Sequence, residues 1–121
     1  CDEGVAPLVL ALNKIEGVIT LDSCQKGAFG EANVFFLYGQ DWQDLANLLQ
    51  TISSELSKTH LACGYILRIE WMGSNEWPHA QIVLSPEHVA ILARSIRALS
   101  GQINARMCQL AGGRVDTELH S

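Results

Sequence analysis

Cys24 is the residue whose position best suits chemistry. It follows a β-branched run, Val18-Ile19-Thr20-Leu21-Asp22-Ser23, and opens a stretch carrying Gly27 and Gly30. Strand ends that pass into glycine-containing loops are where α/β folds gather ligand-binding groups. A nucleophilic thiol there needs its pKa lowered by a cation, a histidine or a helix N-terminus. Along the chain, Lys26 is the nearest basic group. The plainer reading is a small, half-buried thiol closing a strand.

A second constellation comes from a hairpin. Cys63–Met72 and His79–Leu84 read as strands joined through Gly73-Ser74-Asn75-Glu76. A turn centred on Ser74-Asn75 sets Met72 opposite Trp77, Glu70 opposite His79 and Arg68 opposite Gln81. Arg68, Glu70, His79 and Gln81 then share one face, while Tyr65, Leu67, Ile69, Trp71, Ala80, Ile82 and Leu84 share the other, apolar one. The polar face reads either as solvated surface, with a Glu70–His79 pair contributing roughly 0.2–1 kcal/mol, or as the floor of a cleft. In a cleft, Glu70 would tune His79 as an acid or base, and Arg68 and Gln81 would bind ligand.

Other chemistries find less support. His60, His79, His88 and His120 form no i,i+4 pair, and none is spaced with a cysteine as in a zinc module, so no metal site is expected. Cys1, Cys24, Cys63 and Cys108 form no C-x-x-C pair. Arg94, Arg97 and Arg106 are too scattered for a nucleic-acid face, and a net charge of −5 disfavours nucleic acid and anionic membranes. No G-x-S-x-G elbow or phosphate-binding glycine loop occurs. No run approaches the ~20 apolar residues of a membrane span.

These residues must be positioned by a chain of 121 residues, 48% hydrophobic and 17% charged, the size of one domain. A core of that size needs no disulfide, so reduced thiols in a cytoplasmic protein are expected. Cys1-Asp2-Glu3-Gly4 has neither the basic nor the apolar region of a secretory signal, and the missing initiator Met leaves room for sequence upstream.

Val5, Leu8, Val9, Leu12 and Ile15 mark a helix from about Glu3 to Ile15, with Asp2 as cap and Gly17 as stop. Asn33 to Tyr38 is a strand apolar on both faces, the mark of one covered twice or lying in an oligomer interface. Asp41, with Asp44 three places on, opens a helix through Leu45, Leu48, Leu49, Ile52 and Leu56 to about Lys58. Ser85-Pro86-Glu87 opens the last, with Gly112-Gly113 as its end and a mobile tail over about 112–121. The order is α-β-β-α-β-β-α: an α/β (α+β) domain over 1–121 with a mixed four-stranded sheet packed against helices and a right-handed β-α-β crossover.

One segment resembles a known family. Leu12-Asn13, a short turn, and Val18-Ile19-Thr20-Leu21-Asp22-Ser23-Cys24 are similar to a helix-strand segment of the wybutosine-synthesis methyltransferases. There, an Asn-containing helix leads into a Thr-Ser-Ser-Cys-Ser-Gly-Arg run. Thr20, Ser23 and Cys24 match, while the Gly-Arg is replaced by Gln25-Lys26-Gly27. The resemblance implies tRNA modification with S-adenosylmethionine as cofactor and a site near Cys24.

The residues by themselves, with no assembled catalytic motif, lead to a non-catalytic binding or interaction module, without cofactor, for a small molecule or protein. The doubly apolar strand adds homodimerisation. The alternative is a small enzyme with a site near Cys24, supported by Glu70 and His79 and related to RNA modification.

Overall fold

The capping signal at Asp41 is realised as written. In the computed structural model, Asp41 is extended and its carboxylate accepts from the Asp44 backbone N–H at 2.9 Å, opening the helix that supports half the sheet. The structure describes residues 3–24, 30–39, 41–59, 61, 63–71 and 78–120, with side chains for all of these except 3, 22–24, 71 and 111–120.

A 3-10 turn, Glu3–Val5, leads into α1 (Ala6–Leu12), followed by β1 (Ile19–Cys24) and β2 (Ala32–Leu37). Then come α2 (Trp42–Ser57), β3 (Ile66–Trp71), β4 (Pro78–Leu84), a 3-10 turn Pro86–His88, and α3 (Val89–His120). The first helix is thus shorter than its apolar stripe: Pro7 stands in its first turn, and after Leu12 the chain tightens into turns in which Lys14 N bonds Ala11 O and Ile15 N bonds Leu12 O. The expected cap, Asp2, lies outside the described residues. Ser85 stands at the cap of the final helical segment, but its side chain makes no capping bond.

α3 continues through Gly112 and Gly113 to His120, past the stop expected there. A glycine disfavours a helix by about 1 kcal/mol without forbidding its geometry, whereas proline breaks the hydrogen-bond ladder. Gly39, by contrast, is required. Its φ is 69°, and a Cβ there would run into the Asp44 side chain, so only glycine lets β2 turn this tightly into α2.

The strands form one sheet in the order β1-β2-β4-β3. Where the sequence suggests mixed strand directions, every hydrogen-bonded pair is antiparallel. The expected β-α-β crossover survives at one remove. β2 and β3 run the same way, but β4 lies between them because the connection through α2 skips a strand.

The buried apolar residues make one cluster. Ala32, Val34, Phe36, Ala80, Ile82 and Leu84 bring one face of the sheet to it. Val5, Leu8 and Leu12, then Leu45, Leu48 and Ile52, then Leu92, Ile96 and Ile103 bring the helices. α3 packs along both α1 and α2, locking the helical layer on that single side. β2 therefore has strands on both edges, yet its second apolar face, with Phe35 and Leu37, does not belong to the core.

Candidate functional site

Over its described residues the hairpin has the expected register, while Met72, Trp77 and the turn expected between them lie outside the described residues. Arg68 stands opposite Gln81 and Glu70 opposite His79, on the face turned away from the helices. β2 adds Phe35 opposite Gln81, and Asn33 one step diagonal to it. Period-two alternation places Asn33, Gln81, Arg68, Glu70 and His79 together on this helix-free face.

A chain of polar contacts runs across three strands. Arg68 Nε donates to Gln81 Oε1, and Gln81 Nε2 donates to Asn33 Oδ1 at 2.7 Å. Asn33 Nδ2 reaches Glu31 Oε1 at 3.5 Å. On the other side, Arg68 Nε stands 3.1 Å from Glu70 Oε1, and Glu70 Oε2 stands 3.7 Å from His79 Nε2. Asn33, His79 and Gln81 are buried, whereas Arg68 and Glu70 keep half to a third of their side chains in solvent. Among the described residues, the ladder thus has a buried middle and a charged outer end that reaches solvent.

His79 is the exception to its satisfaction. Its ring lies 5.4 Å from that of Phe35, centroid to centroid, and its Nε2 is buried with no hydrogen-bond partner among the described residues. Glu70 is close enough to attract a protonated ring but too far for a good hydrogen bond.

The sequence-derived candidates divide accordingly. Arg68, Glu70, His79 and Gln81 come together as expected. Cys24 ends β1 with its backbone opposite Asn33, but its side chain lies outside the described set, so its relation to the ladder stays an expectation. Asn33 is the residue that the sequence reading lacked. Its neighbour Gln81 is 48 positions away, and only the insertion of β4 beside β2 brings them together. The one available signal was an amide at a half-apolar position of β2.

Apolar side chains frame the ladder. Ile19, at the β1 edge, is 61% exposed, and Ile66, at the β3 edge, is 58% exposed. Phe35, Leu37 and Val83 lie half-buried between them. A one-residue register shift between Thr20 and Asp22 leaves Leu21 without a partner on β2 and exposed.

Among the described residues, the titration of Glu55 and of Cys63 is perturbed. Glu55 on α2 accepts from Arg106 of α3 at 3.1 Å and from Lys58 at 3.3 Å; Arg106 above all holds its carboxyl below the usual range, against the opposing effect of burial. Burial pushes the half-buried Cys63 thiol up. Among the described residues, no three His, Cys, Asp or Glu side chains are grouped to hold a metal, and no helix is long and apolar enough to cross a membrane.

Comparison of the chain with protein-family models, with curated proteins and with solved structures finds no match.

Proposed function

We propose that the domain is a binding module, non-catalytic in itself, that acts as a homodimer and offers the helix-free face of its sheet to a small molecule or protein. The carrying observation is the make-up of that face, with Ile19 and Ile66 more than half exposed around a ladder whose amides already bond one another. Exposed apolar side chains grouped on one face favour an interaction surface. Polar groups satisfied in advance can be covered without leaving orphaned donors or acceptors. The second apolar face of β2, which none of the described helices covers, supports self-association. The free thiols of Cys63 and Cys108 support a cytoplasmic setting.

Sedimentation equilibrium between about 1 and 100 μM tests the dimer. A mass rising to twice that of the chain is expected. A monomer throughout overturns the reading.

A second reading is favoured by His79, buried and unpartnered at Nε2 beside Glu70. In it, Cys24, Glu70 and His79 serve a small enzyme, and the likeness to wybutosine-synthesis methyltransferases supplies RNA modification with S-adenosylmethionine as its chemistry. Such an enzyme needs Cys24 to react with iodoacetamide near neutral pH much faster than the other cysteines, and tRNA to be retarded at low salt. Ordinary reactivity together with no retardation removes it.

A further inference from the structure

β3 is an edge strand. Among the described residues, β4 is its only hydrogen-bonded neighbour, so alternate backbone N–H and C=O groups of Ile66–Trp71 point outward. Natural edges are guarded by proline, by bulges or by charges that repel another strand. β3 contains no proline, it pairs with β4 without a register shift, and its two charges, Arg68 and Glu70, are opposite in sign and two residues apart.

We propose that β3 pairs antiparallel with β3 of a second copy, about a two-fold axis at Ile69, making one eight-stranded sheet. This rests on the dimer reading above and names its surface and register. A two-fold axis between adjacent strands of one sheet stands perpendicular to it and keeps every side chain on its own face. Each residue then faces its own copy or one an even number of places away. With the axis at Ile69, Arg68 of each chain faces Glu70 of the other, Ile69 faces Ile69, and Leu67 faces Trp71. An axis at Arg68 or at Glu70 sets like charges together, and one at Leu67 leaves Arg68 opposite Ile66. Of these, only the axis at Ile69 matches the charges.

Arg68 has capacity for this contact. Its Nε is occupied by Gln81 and Glu70, while its terminal nitrogens have no partner among the described residues and its side chain is 54% exposed. Beside the same edge, Leu67 and Ile69 line a shallow hollow with Ala46 and Leu49 of α2, so the helix does not seal the strand's flank. The axis also turns both helix-free faces to the same side, doubling the surface offered to a partner.

The test is sedimentation equilibrium of wild type, R68E, E70R and an equimolar mixture of the two variants, each confirmed folded by circular dichroism. Each variant alone sets like charges opposite one another and is expected to weaken the dimer by about tenfold or more. The R68E chain offers two carboxylates and the E70R chain two guanidiniums, so the mixture is expected to recover to within about threefold of wild type. Recovery on mixing cannot come from misfolded chains. A wild-type dimer indifferent to both changes, or variants that weaken it without recovery on mixing, overturns the β3 register and leaves the dimer reading standing. A wild-type monomer throughout overturns both.

Discussion

Gln81 Nε2 and Asn33 Oδ1 lie 2.7 Å apart, tying β4 to β2 in the middle of the helix-free face. The direction of this bond is imposed from its two ends. Arg68 can only donate, so Gln81 must turn its oxygen toward Arg68 and its nitrogen toward Asn33. At the other end, Glu31 Oε1 takes the nitrogen of Asn33 at 3.5 Å. Two amides that would be free to flip in isolation are thereby held in one sense.

Gln81→Met keeps the length of the side chain and removes both bonds. It leaves Asn33 Oδ1 buried and unpaired, and the expected loss is about 1–3 kcal/mol in urea unfolding. Gln81→Glu is expected to cost a similar amount, because its second oxygen meets Asn33 Oδ1. Combining Gln81→Met with Asn33→Leu should cost less than the sum of the single changes, since no orphan amide remains. Additive losses would show that the two residues are not coupled.

The two halves of this ladder differ in how legible they were. Arg68–Gln81 and Glu70–His79 follow from one local decision, the centre of a turn, because an antiparallel hairpin propagates its register from the turn outward. The same locality made α2 readable from Asp41 and its apolar stripe. Asn33 is different. Its place beside Gln81 depends on β4 entering between β2 and β3, a matter of strand order that no neighbouring residue encodes. Burial followed strand order as well. A polar face of one hairpin reads as solvated, but β4 became a central strand with β2 on its other edge, and His79 and Gln81 were enclosed. At Gly112-Gly113 the local signal pointed to a helix end that α3 does not have, because a stop written only in glycine is a modest penalty.

Asn104 of α3 clasps the turn that follows α1. Its Oδ1 accepts from Glu16 N at 2.9 Å and its Nδ2 donates to Lys14 O at 3.1 Å, as a neighbouring peptide would. Asn104→Ala removes both, and roughly 1–2 kcal/mol of stability should go with them at this partly exposed site. Amide exchange at Glu16 should quicken markedly while that of the α2 interior is little changed. Unaltered exchange at Glu16 would show that the clasp is not holding the turn.

Cys63 and Cys108 offer a contrast in thiol reactivity. Cys63 is half-buried with its pKa raised by desolvation, whereas Cys108 is exposed on α3. Thiolate is the attacking species, so a raised pKa and reduced access both slow Cys63. Peptide mapping after brief iodoacetamide treatment near pH 7 should find Cys108 modified several-fold faster. In denaturant the two rates should converge, because the difference belongs to the fold. Faster labelling of Cys63 in the native protein would contradict its burial.

Glu55 couples stability to acid. Arg106 from α3 and Lys58 one turn along α2 hold its carboxyl below the reference value of 4.5. A carboxylate with a folded pKa lower than its unfolded one stabilises the native state wherever it is ionised in both. That contribution is present above pH 4.5 and is lost as pH falls below 4.5 and through the depressed folded value. Glu55→Gln removes the titrating group while keeping an acceptor for Arg106. The urea midpoint of wild type should therefore exceed that of Glu55→Gln near neutral pH, and the gap should narrow as the pH falls below 4.5. Taking the difference between the two proteins cancels the remaining carboxylates, which titrate in both. Arg106→Gln should shrink the same gap by removing the principal cause of the shift, leaving only the part due to Lys58. A gap that stays constant with pH would mean that Glu55 has the same proton affinity folded and unfolded, and that its contact to Arg106 does not bind α2 to α3 electrostatically.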